Sequence, residues 1–534
     1  MRRWNGWGDE RVATTVPPAG AAFLDRVLGP GTPPRDAALA EVVGAVPPSR
    51  LPDDPLVSTD PLDRLRHARG QSLPDWVALR TGRIDSWPDG VAHPTTDADV
   101  RRLLRFAAGV GAQVIPYGGG TSVVGHLTPP AGEAPVLTID LGRLTGLRRF
   151  EERSGLATFG AGTPGPDLEA ALRARGWTLG HYPQSFEYST VGGWVATRSS
   201  GQQSLGYGRI EALFAGGRLE APAGALELPP HPASAAGPDL RQLVLGSEGR
   251  LGILTEAIVR ATPLPEHEAI EAAFLPDLEP GLAAVRELAQ AKLPLSMIRL
   301  STPVETMTTL ALAGRPGQVR LLERYLAVRG IGPRRCLLLF AAAGRARVVG
   351  AALAEARAIL GRHGGVSGPG SLARHWQRER FRSAYLRNAL WEAGYAVDTV
   401  ETALDWSRVP GLLAALAPNL RRGLAGDGER VHAFTHLSHV YPSGSSLYTT
   451  YLFRIADDPD ETLRRWSILK SIASRTITDH GGTISHQHGV GTDHAAYLAA
   501  EKGELGMAVL GDAVRRFDPD RLMNPGKLLE RSDR

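Results

Sequence analysis

The sequence predicts an α+β protein in which a domain of strands, helices and glycine-rich loops precedes a domain built on an antiparallel sheet backed by helices. Two observations support this fold class. Between His93 and Ser122, a helix-start signal, an apolar-periodic helix, a short buried strand and a glycine loop follow one another. From Pro263 onward, units of an apolar strand and an amphipathic helix recur with short connections, which favours an antiparallel sheet.

The composition is that of a globular protein of two or three domains. The chain has 534 residues, of which 43% are hydrophobic and 22% charged, so it can bury large cores. Its 60 basic and 56 acidic residues give a net charge of +4, and the arginines are scattered along the chain. We therefore expect no nucleic-acid partner.

Cysteine content and apolar runs bear on the compartment. Cys336 is the sole cysteine, which excludes an intrachain disulfide and a cysteine-based metal site and fits a reducing cytoplasm. The apolar run that begins at Cys336 is too short to span a bilayer, and the first residues lack the apolar core of a signal peptide. The sequence thus predicts a cytoplasmic protein and leaves peripheral membrane contact and a homodimer open.

The elements follow in order along four regions. Residues 1–85 mix proline-rich turns with helical pieces, and we interpret them as an N-terminal extension without a motif. In residues 86–265, a helix begins after Thr96, "AQVIPY" is a short buried strand, and further strands, turns and a helix follow. Residues 266–470 hold the repeated strand and helix units and end in "SSLYTTYLFRI". Residues 471–534 return to helix, loop and helix.

Three glycine-rich stretches in the first domain indicate a nucleotide site. They are "PYGGGTS" from Pro116, the hydroxyl-rich "HYPQSFEYSTVGGWVATRSSG" from His181, and "GSEGRLGIL" from Gly246. We expect the second stretch to be too rich in glycine for ordinary helix or strand. Glycine lets a ligand approach bare backbone N–H groups, so together the stretches can line a groove for a dinucleotide pyrophosphate. Neither a strand-linked G-x-G-x-x-G nor a P-loop is present.

The C-terminal region contributes a pair of histidines in "SHQHGVG". His486 and His488 are two residues apart in a stretch that glycines keep extended, so both rings could face one cavity. Neutral imidazole can take or give a proton near pH 7. The alternatives are a metal pair with a third ligand from His436 or His439, and plain surface histidines.

Arg387 and Tyr448 are two further candidates. The guanidinium of Arg387 suits a phosphate or carboxylate, although a salt bridge on a helix surface is the local alternative. Tyr448 stands in a strand pattern where core packing with a satisfied hydroxyl is common. The local sequence leaves both alternatives open.

Taken together, these residues resemble the flavoprotein superfamily that includes vanillyl-alcohol oxidase, and within it the alkyl-dihydroxyacetone-phosphate synthases. The resemblance runs in order from about residue 64 to residue 529 through "PYGGGTSV", "SFEYSTVGGWVATRSSG", "SMIRL", "YLRNAL", "SHVYPSGSSLY" and "SHQHGVG". It implies a two-lobed PCMH-type FAD-binding domain over 86–265, a cap domain over 266–470, and a segment over 471–534 that closes the site.

The resemblance also assigns residues. It implies non-covalent FAD, with His126 as the one nearby side chain that could be a point of attachment. It implies no metal. It places the FAD contacts on Pro116, Tyr117, Gly118, Gly119, Gly120, Thr121, Ser122, Gln184, Ser185, Ser189, Thr190, Gly192, Gly193, Thr197, Arg198, Ser199, Ser200, Glu248, Gly249, Leu251, Gly252, Ile253 and Leu254.

The chemistry implied by the resemblance is an exchange without net redox change. The acyl chain of acyl-dihydroxyacetone phosphate would leave and a fatty alcohol would replace it, through an adduct at flavin N5. Tyr448 would be the acid/base, and His486 and His488 would share the proton path. Arg387 would anchor the substrate phosphate, and Arg299 would be a second arginine needed for substrate.

Three residues depart from the family pattern, and two other functions stay open. Gln487 replaces the middle one of three histidines, Gln184 replaces an aspartate, and Asn388 stands where the animal enzymes have aspartate. One alternative is a D-2-hydroxy-acid dehydrogenase or another flavin oxidase, although "SHVYPSG" and "SHQHGVG" differ from the usual motifs of those enzymes. The other is a flavin-binding protein without catalysis.

Overall fold

The computed structural model describes residues 2–312 and 315–530. The strands are β1 (Val57–Ser58), β2 (Gly90–Ala92), β3 (Gln113–Tyr117), β4 (Val136–Asp140), β5 (Leu147–Glu151), β6 (Leu156–Gly160), β7 (Trp177–Thr178), β8 (Phe214–Ala221), β9 (Gly224–Leu228), β10 (Ile253–Arg260), β11 (Thr262–Pro263), β12 (His267–Leu275), β13 (Met297–Ser301), β14 (Cys336–Gly344), β15 (Val366–Ser367), β16 (Tyr395–Asp405), β17 (His432–Leu437) and β18 (Gly444–Arg454).

The α-helices are α1 (Pro18–Leu28), α2 (Leu39–Gly44), α3 (Pro61–Arg66), α4 (Leu73–Thr81), α5 (Asp97–Val110), α6 (Gly165–Arg173), α7 (Val191–Thr197), α8 (Ser204–Tyr207), α9 (Ile210–Leu213), α10 (Arg241–Val244), α11 (Leu278–Gln290), α12 (Pro303–Leu312), α13 (Pro316–Val328), α14 (Ala346–Arg362), α15 (Gly370–Glu379), α16 (Leu386–Glu392), α17 (Val409–Arg422), α18 (Pro459–Asp479) and α19 (Ala495–Phe517), which bends at Gly503. Short 3₁₀ helices span Arg382–Tyr385 and Ala425–Asp427.

A small sheet in the order β1-β2-β4-β3 forms the first lobe. Thr96 caps α5 by accepting a hydrogen bond from the backbone N–H of Asp99, as the helix-start signal predicted. Strands β2, β4 and β3 are parallel, and Tyr117 pairs with Asp140 at their carboxyl ends. The glycine loop that follows Tyr117 therefore leaves the sheet at the edge where parallel sheets commonly bind ligands.

A second, antiparallel sheet in the order β5-β6-β10-β8-β9 forms the other lobe and shares an apolar core with the first. Trp194 on α7 is buried in this core, together with Phe159 on β6. Burial of each such aromatic side chain contributes about 2–3 kcal/mol to stability. The expectation that the second glycine-rich stretch is irregular is wrong for residues 191–197, because a capped helix buries Val191, Trp194 and Val195 there.

A seven-stranded antiparallel sheet, in the order β15-β12-β14-β13-β17-β18-β16, carries the third part of the fold. Helices α11, α14 and α17 pack on one face through a large apolar core. The predicted α+β class, with an antiparallel sheet backed by helices, is confirmed. Helix α18 continues without a break through position 470, where the sequence suggested the start of the last region.

The opposite face of this sheet changes character from one edge to the other. At β12 and β14 it is apolar and packs against side chains such as Leu326 of α13. At β17, β18 and β16 it carries polar side chains, whereas the alternate residues Leu447 and Phe453 of β18 are in the core. Among the described residues, no helix is long and apolar enough to cross a bilayer.

Candidate active site

The glycine loop after β3 presents a row of backbone donors. Among the described residues, no protein acceptor meets the five backbone N–H groups from Gly118 to Ser122. A Cβ on Gly119 would lie 1.9 Å from the carbonyl oxygen of Tyr188, and Gly120 has a φ of +62°. Side chains are therefore excluded at both positions, and the loop can place its N–H groups against a ligand rich in acceptors.

A row of polar side chains crosses three neighbouring strands on the open face of the large sheet. Tyr448 of β18 pairs directly with His436 of β17 on one side and with Glu401 of β16 on the other. The rings of Tyr448 and His436 stack with their centroids 5.0 Å apart. Burial raises the pKa of Tyr448 well above its usual value, so its phenol is protonated at neutral pH.

The two histidines of the C-terminal loop approach this row from different sides. The ring of His488 lies edge-on to Tyr448, with the centroids 5.8 Å apart. His486 Nδ1 lies 3.1 Å from Glu401 Oε1, and its Nε2 is hydrogen bonded to the hydroxyl of Tyr441. Burial lowers the pKa of His488, so its imidazole is neutral at pH 7 and able to accept a proton. We call the following residues the sheet cluster: Glu401, His436, His439, Tyr448, His486 and His488.

Glu401 is the buried anion of the sheet cluster. Its carboxylate accepts hydrogen bonds from Ser438 Oγ at 2.8 Å and from Gln487 Nε2 at 2.5 Å. Burial alone would raise its pKa, but the neighbouring His486 and His439 hold the pKa well below the usual value. The carboxylate is therefore ionised, and the Gln487 that departs from the family pattern contacts it directly.

The alternative of a metal site has one geometric basis. Glu401, His439 and His486 each offer a donor atom, and these atoms lie within 4.8 Å of one another. Ser438 donates to the Glu401 carboxylate, and Ser200 and Ser204 contact His439 Nδ1 at 3.2 and 3.1 Å. The ring nitrogens that face Glu401 Oε1 are His439 Nε2 and His486 Nδ1, at 3.9 and 3.1 Å. The expectation that the site binds no metal therefore stays a prediction.

The arginine of β13 lies behind the row. Arg299 pairs with the buried Glu305, and its Nη2 lies 3.2 Å from His436 Nδ1. Glu305 Oε2 is also 2.9 Å from His436 Nδ1. The described partners of Arg299 are all protein groups, so its direct contact with substrate stays a prediction. The geometry instead shows that Arg299 and Glu305 fix the ring of His436 against Tyr448.

Arg387 on α16 is a buried cation with an incomplete set of partners. Its Nη1 donates to the carbonyl oxygen of Gln71, and its guanidinium lies 4.2 Å from the ring centroid of Trp76. Its Nη2 is buried without a hydrogen-bond partner among the described residues. Burial lowers its pKa to about 10, which still leaves it charged at neutral pH. Burial raises the pKa of Tyr448, and the positive charge of Arg387 offsets a small part of that rise. The two groups therefore share one electrostatic environment.

Known sequence families match both parts of this arrangement. The FAD binding domain family matches residues 88–227, and the C-terminal domain of FAD linked oxidases matches residues 264–528. The chain belongs to the FAD-linked oxidases of the PCMH-type flavoprotein superfamily. FAD is accordingly its cofactor, and the glycine loop lies in the FAD-binding domain.

Individual relatives of this flavoprotein cover almost all of its length. An alkyldihydroxyacetonephosphate synthase of Dictyostelium discoideum is 28% identical over 99% of this chain and 93% of the relative. A synthase of the same name from Trypanosoma brucei brucei is 29% identical over 89% of this chain and 78% of the relative. A solved structure of an alkyldihydroxyacetonephosphate synthase superposes with a TM-score of 0.82 at 26% identity, covering 98% of both chains.

The residues around the loop form a cradle that fits FAD. Gly118, Gly119, Gly120, Thr121 and Ser122 supply the unpaired N–H groups, and a Cβ on Gly118 would lie 2.6 Å from Thr190 Oγ1. Thr190 caps α7, and Gly192 packs so closely on Ala161 that a Cβ there would be 2.8 Å from it. The N–H groups of Val191, Gly192 and Gly193 at the start of α7 have protein acceptors, so the bare backbone of the glycine loop is the part of the cradle that suits a diphosphate.

The remaining predicted contacts in the second stretch are distributed between the cradle and its supports. Ser189 accepts a hydrogen bond from Trp194 Nε1, and the carbonyl of Ser185 accepts from Tyr188 and Ser189. Four more of the predicted contacts bond neighbouring protein groups. The Gly193 N–H donates to Thr190 Oγ1, and the Thr197 hydroxyl donates to the Gly193 carbonyl. Arg198 donates to the carbonyl oxygens of Leu245 and Gln242, and Ser199 Oγ contacts His181 Nε2. Their contacts with FAD stay predictions.

The third stretch joins the cradle to the C-terminal loop. The Glu248 carboxylate accepts hydrogen bonds from the backbone N–H groups of Val490 and Gly491, at 2.5 and 2.8 Å. Gly249 packs on Pro116, a Cβ there being 2.9 Å from the proline ring. Leu251 is buried beside Gly252, and Ile253 and Leu254 begin β10. Glu248 therefore holds the histidine loop next to the FAD-binding domain.

His126 has partners at both ring nitrogens. Its Nδ1 lies 2.6 Å from Ser122 Oγ, and its Nε2 lies 2.8 Å from Glu248 Oε2. The contact at Nε2 lacks hydrogen-bond geometry. Non-covalent FAD stays a prediction.

Several contributors to the site were absent from the sequence analysis. Glu401 carried one local signal, since it is a charged residue in the interior of strand β16, as is Asp398. Tyr441 and Glu305 gave no signal, because their roles depend on which strands pair. Residues 1–85 were expected to hold no motif, yet Arg2 and Trp7 contact residues beside the cradle.

Proposed function

We propose that this protein is an alkyl-dihydroxyacetone-phosphate synthase, which exchanges the acyl chain of acyl-dihydroxyacetone phosphate for a fatty alcohol. The relatives that cover most of the chain carry this activity in their names. A single structural observation supports the proposal most directly. Arg387 is a buried, charged guanidinium whose Nη2 lacks a protein partner, and this arrangement suits the phosphate of the substrate.

The protonation states of the sheet cluster assign its parts. His488 is neutral and can accept the proton that leaves the substrate carbon, because burial lowers its pKa. Tyr448 is a neutral phenol that can donate a proton to the departing fatty-acid carboxylate. Glu401 and Tyr441 hold the ring of His486, which extends the proton path toward β16. FAD, when bound, would supply an electron-accepting ring. Because one substituent replaces another on the same carbon, the exchange involves no net redox change.

Ether product is the decisive measurement. The purified yellow protein is incubated with palmitoyl-dihydroxyacetone phosphate and hexadecanol, and separately with D-lactate and an electron-accepting dye. We expect hexadecyl-dihydroxyacetone phosphate and free palmitate in equal amounts, without dye reduction. Dye reduction without ether product would show a 2-hydroxy-acid dehydrogenase instead. If the protein retained FAD but showed no activity in either assay, the result would favour a flavin-binding protein without catalysis.

The phosphate contact has a matched control. Arg387→Met should raise the KM for the acyl substrate by about 100-fold, since loss of one partner of a buried charge pair typically costs several kcal/mol. Arg382→Met, one turn away on an exposed and weakly paired side chain, should leave the KM unchanged. Equal KM values in the two variants would refute the assignment of the phosphate to Arg387.

We also propose peripheral membrane contact, because both lipid substrates reside in membranes. Helices α12 and α13 expose Met307, Leu321 and Val328 to 49%, 70% and 87%. We assign the membrane contact to these exposed apolar side chains. Leu321→Ser with Val328→Ser should reduce sedimentation with phosphatidylcholine vesicles, and unchanged sedimentation would exclude this surface.

A further inference from the structure

Residues 2–9, the N-terminal segment, form a closed turn between the FAD-binding domain and α16. Arg2 and Asp9 pair as an isolated bridge, and the Arg3 N–H donates to the Gly8 carbonyl at 2.8 Å. Trp7 is 7% exposed. The segment is therefore packed into the body of the protein.

On one side the N-terminal segment contacts the glycine loop. Arg2 Nη2 donates to the carbonyl oxygen of Gly119 at 2.5 Å. The same nitrogen lies 3.1 Å from the position that a Cβ on Gly120 would occupy. The guanidinium lies 5.3 Å from the ring centroid of Tyr188, and Trp7 packs edge-on against that ring at 5.8 Å. Arg2 is thus a neighbour of the five unpaired N–H groups.

On the other side the N-terminal segment is fixed by Asn388, the residue that follows Arg387. Asn388 Oδ1 accepts a hydrogen bond from the Trp7 N–H at 3.1 Å, and its Nδ2 donates to the Trp7 carbonyl at 3.0 Å. Only an amide provides a donor and an acceptor in this arrangement, because an ionised aspartate provides acceptors alone. The pair thus uses both ends of the Asn388 amide, at the position where the family pattern has aspartate.

Two glycines let the N-terminal segment approach α16 this closely. A Cβ on Gly6 would lie 2.6 Å from Asn388 Oδ1. A Cβ on Gly8 would lie 2.2 Å from Tyr385 Cε1, and Gly8 has a φ of +81°. Position 8 is therefore confined to glycine, and a side chain at position 6 would displace the Asn388 amide.

We propose that the N-terminal segment is part of the FAD site, with Arg2 bringing a positive charge to the FAD diphosphate and Asn388 anchoring the segment. The loop N–H groups are neutral donors, whereas a hydrogen bond from guanidinium to phosphate is charge-assisted and roughly twice as strong. The anchor connects the cofactor loop to the helix that carries Arg387. The proposal concerns retention of FAD and does not depend on which reaction the enzyme performs.

The first test is the rate at which the holoenzyme loses FAD, measured by flavin fluorescence after dilution into an excess of an apoflavoprotein that captures FAD. We expect Arg2→Ala to lose FAD about tenfold faster than the parent protein. The rate of FAD loss from Arg2→Lys should lie between those of the parent protein and Arg2→Ala. Added salt should reduce the difference in rate between the parent protein and Arg2→Ala. Arg35→Ala, at an exposed position of the same N-terminal region, is the matched control and should match the parent. Equal rates for Arg2→Ala and Arg35→Ala would overturn the assignment of Arg2.

The second test addresses the anchor. Asn388→Asp should release FAD about fivefold faster and expose the bond after Arg3 to trypsin, because the carboxylate repels the Trp7 carbonyl. Arg387→Met should leave both readouts unchanged, which separates the anchor from the phosphate contact. Matching far-UV circular dichroism spectra ensure that folded proteins are compared, and Arg2→Ala gives an independent result if Asn388→Asp does not fold. Unchanged tryptic cleavage of Asn388→Asp would refute the anchor.

Discussion

Two histidine clusters in this protein contain similar residues and have opposite electrostatics. In the first lobe, His67 and His93 alternate with Asp63 and Asp140, and we call these four residues the His67 cluster. His67 Nε2 lies 3.2 Å from Asp140, and His93 Nε2 lies 3.0 Å from Asp63. In the sheet cluster, four histidines and a tyrosine surround the carboxylate of Glu401.

The pKa values of the two clusters move in opposite directions. Burial alone would lower the pKa of His67, but Asp140 and Asp63 raise it to about 11, and the same two carboxylates raise the pKa of His93 to about 9. In the sheet cluster, burial lowers the pKa of His439 to about 3 and also lowers those of His436 and His488. The two histidines of the His67 cluster share two carboxylates, and each contacts both, whereas those of the sheet cluster share Glu401 or, for His436, face Glu305 together with Arg299.

The number of carboxylates per histidine determines whether the imidazoles of a cluster are charged. It therefore separates a structural cluster from a reactive one. Two ion pairs in the His67 cluster balance their charge and hold α3 on the first lobe. In the sheet cluster, His436, His439 and His488 have lowered pKa values and are neutral at pH 7, a state in which they can accept protons.

The largest expected effect comes from removing one hydroxyl of the sheet cluster. Tyr448→Phe should lower kcat for ether formation by about 10³-fold, the usual contribution of a positioned acid or base. Its free energy of unfolding should change by less than about 1 kcal/mol, because the ring still stacks on His436. Ether formation within tenfold of the parent rate would exclude Tyr448 as the proton donor.

The next largest effect is expected on stability, from a substitution in the His67 cluster. Asp140→Asn removes one of the two carboxylates that contact the buried His67 and the partly exposed His93, and it should lower the free energy of unfolding by about 3 kcal/mol in urea denaturation. Once folded, the variant should keep its kcat within about threefold. A variant with normal stability and poor activity would reverse the roles assigned to the two clusters.

The pH dependence of stability should carry a signature of each cluster. Between pH 6.5 and about 9 the folded state binds the His93 proton more tightly than the unfolded state, so stability should fall as the pH rises. His439 has a lowered pKa, so between pH 6.5 and about 3 stability should fall as the pH decreases. Urea denaturation from pH 4 to 10 should show both slopes, to which each titrating histidine contributes at most about 1.4 kcal/mol per pH unit.

The same experiment on two variants assigns the slopes. His93→Phe should reduce the alkaline slope alone, and His439→Phe should reduce the acidic slope alone. If both variants retained both slopes, the pH dependence would arise outside the two clusters.

The smallest effect is expected where the chain departs from its family. Gln487→His restores the third consecutive histidine, and a histidine N–H can also donate to Glu401 as the Gln487 amide does. We expect kcat within about threefold of the parent value, with normal FAD content. A gain of tenfold or more would show that Gln487 limits the reaction.

Local patterns predicted the elements better than the contacts between them. The capped start of α5, strand β3 and the glycine loop depend on neighbouring residues, so their signals lie within a few positions. Tyr448 and His488 were candidates from the local sequence, and the resemblance supplied their roles. The neighbours of Tyr448 could not be read from local sequence, because β16 and β17 are fixed by long-range strand pairing.

The contacts of the N-terminal segment could not be predicted from local sequence either. Trp7 and Asn388 are 381 positions apart, and no periodicity relates them. The two tryptophans and two glycines in "WNGWG" were the only local sign that this segment packs against something. The helix at Val191–Thr197 was missed because its two glycines outweighed the Thr190 cap.

The register that aligns His436, Tyr448 and Glu401 has a consequence for how such an enzyme can diversify. Their spacing follows the repeat between adjacent strands, about 4.8 Å, and the sheet ladder maintains it. Loops around the entrance can therefore lengthen, shorten or change sequence without disturbing the proton-handling machinery. Chain-length preference and reactivity become separately adjustable, which makes this sheet a suitable scaffold for redesigning the alcohol that is accepted.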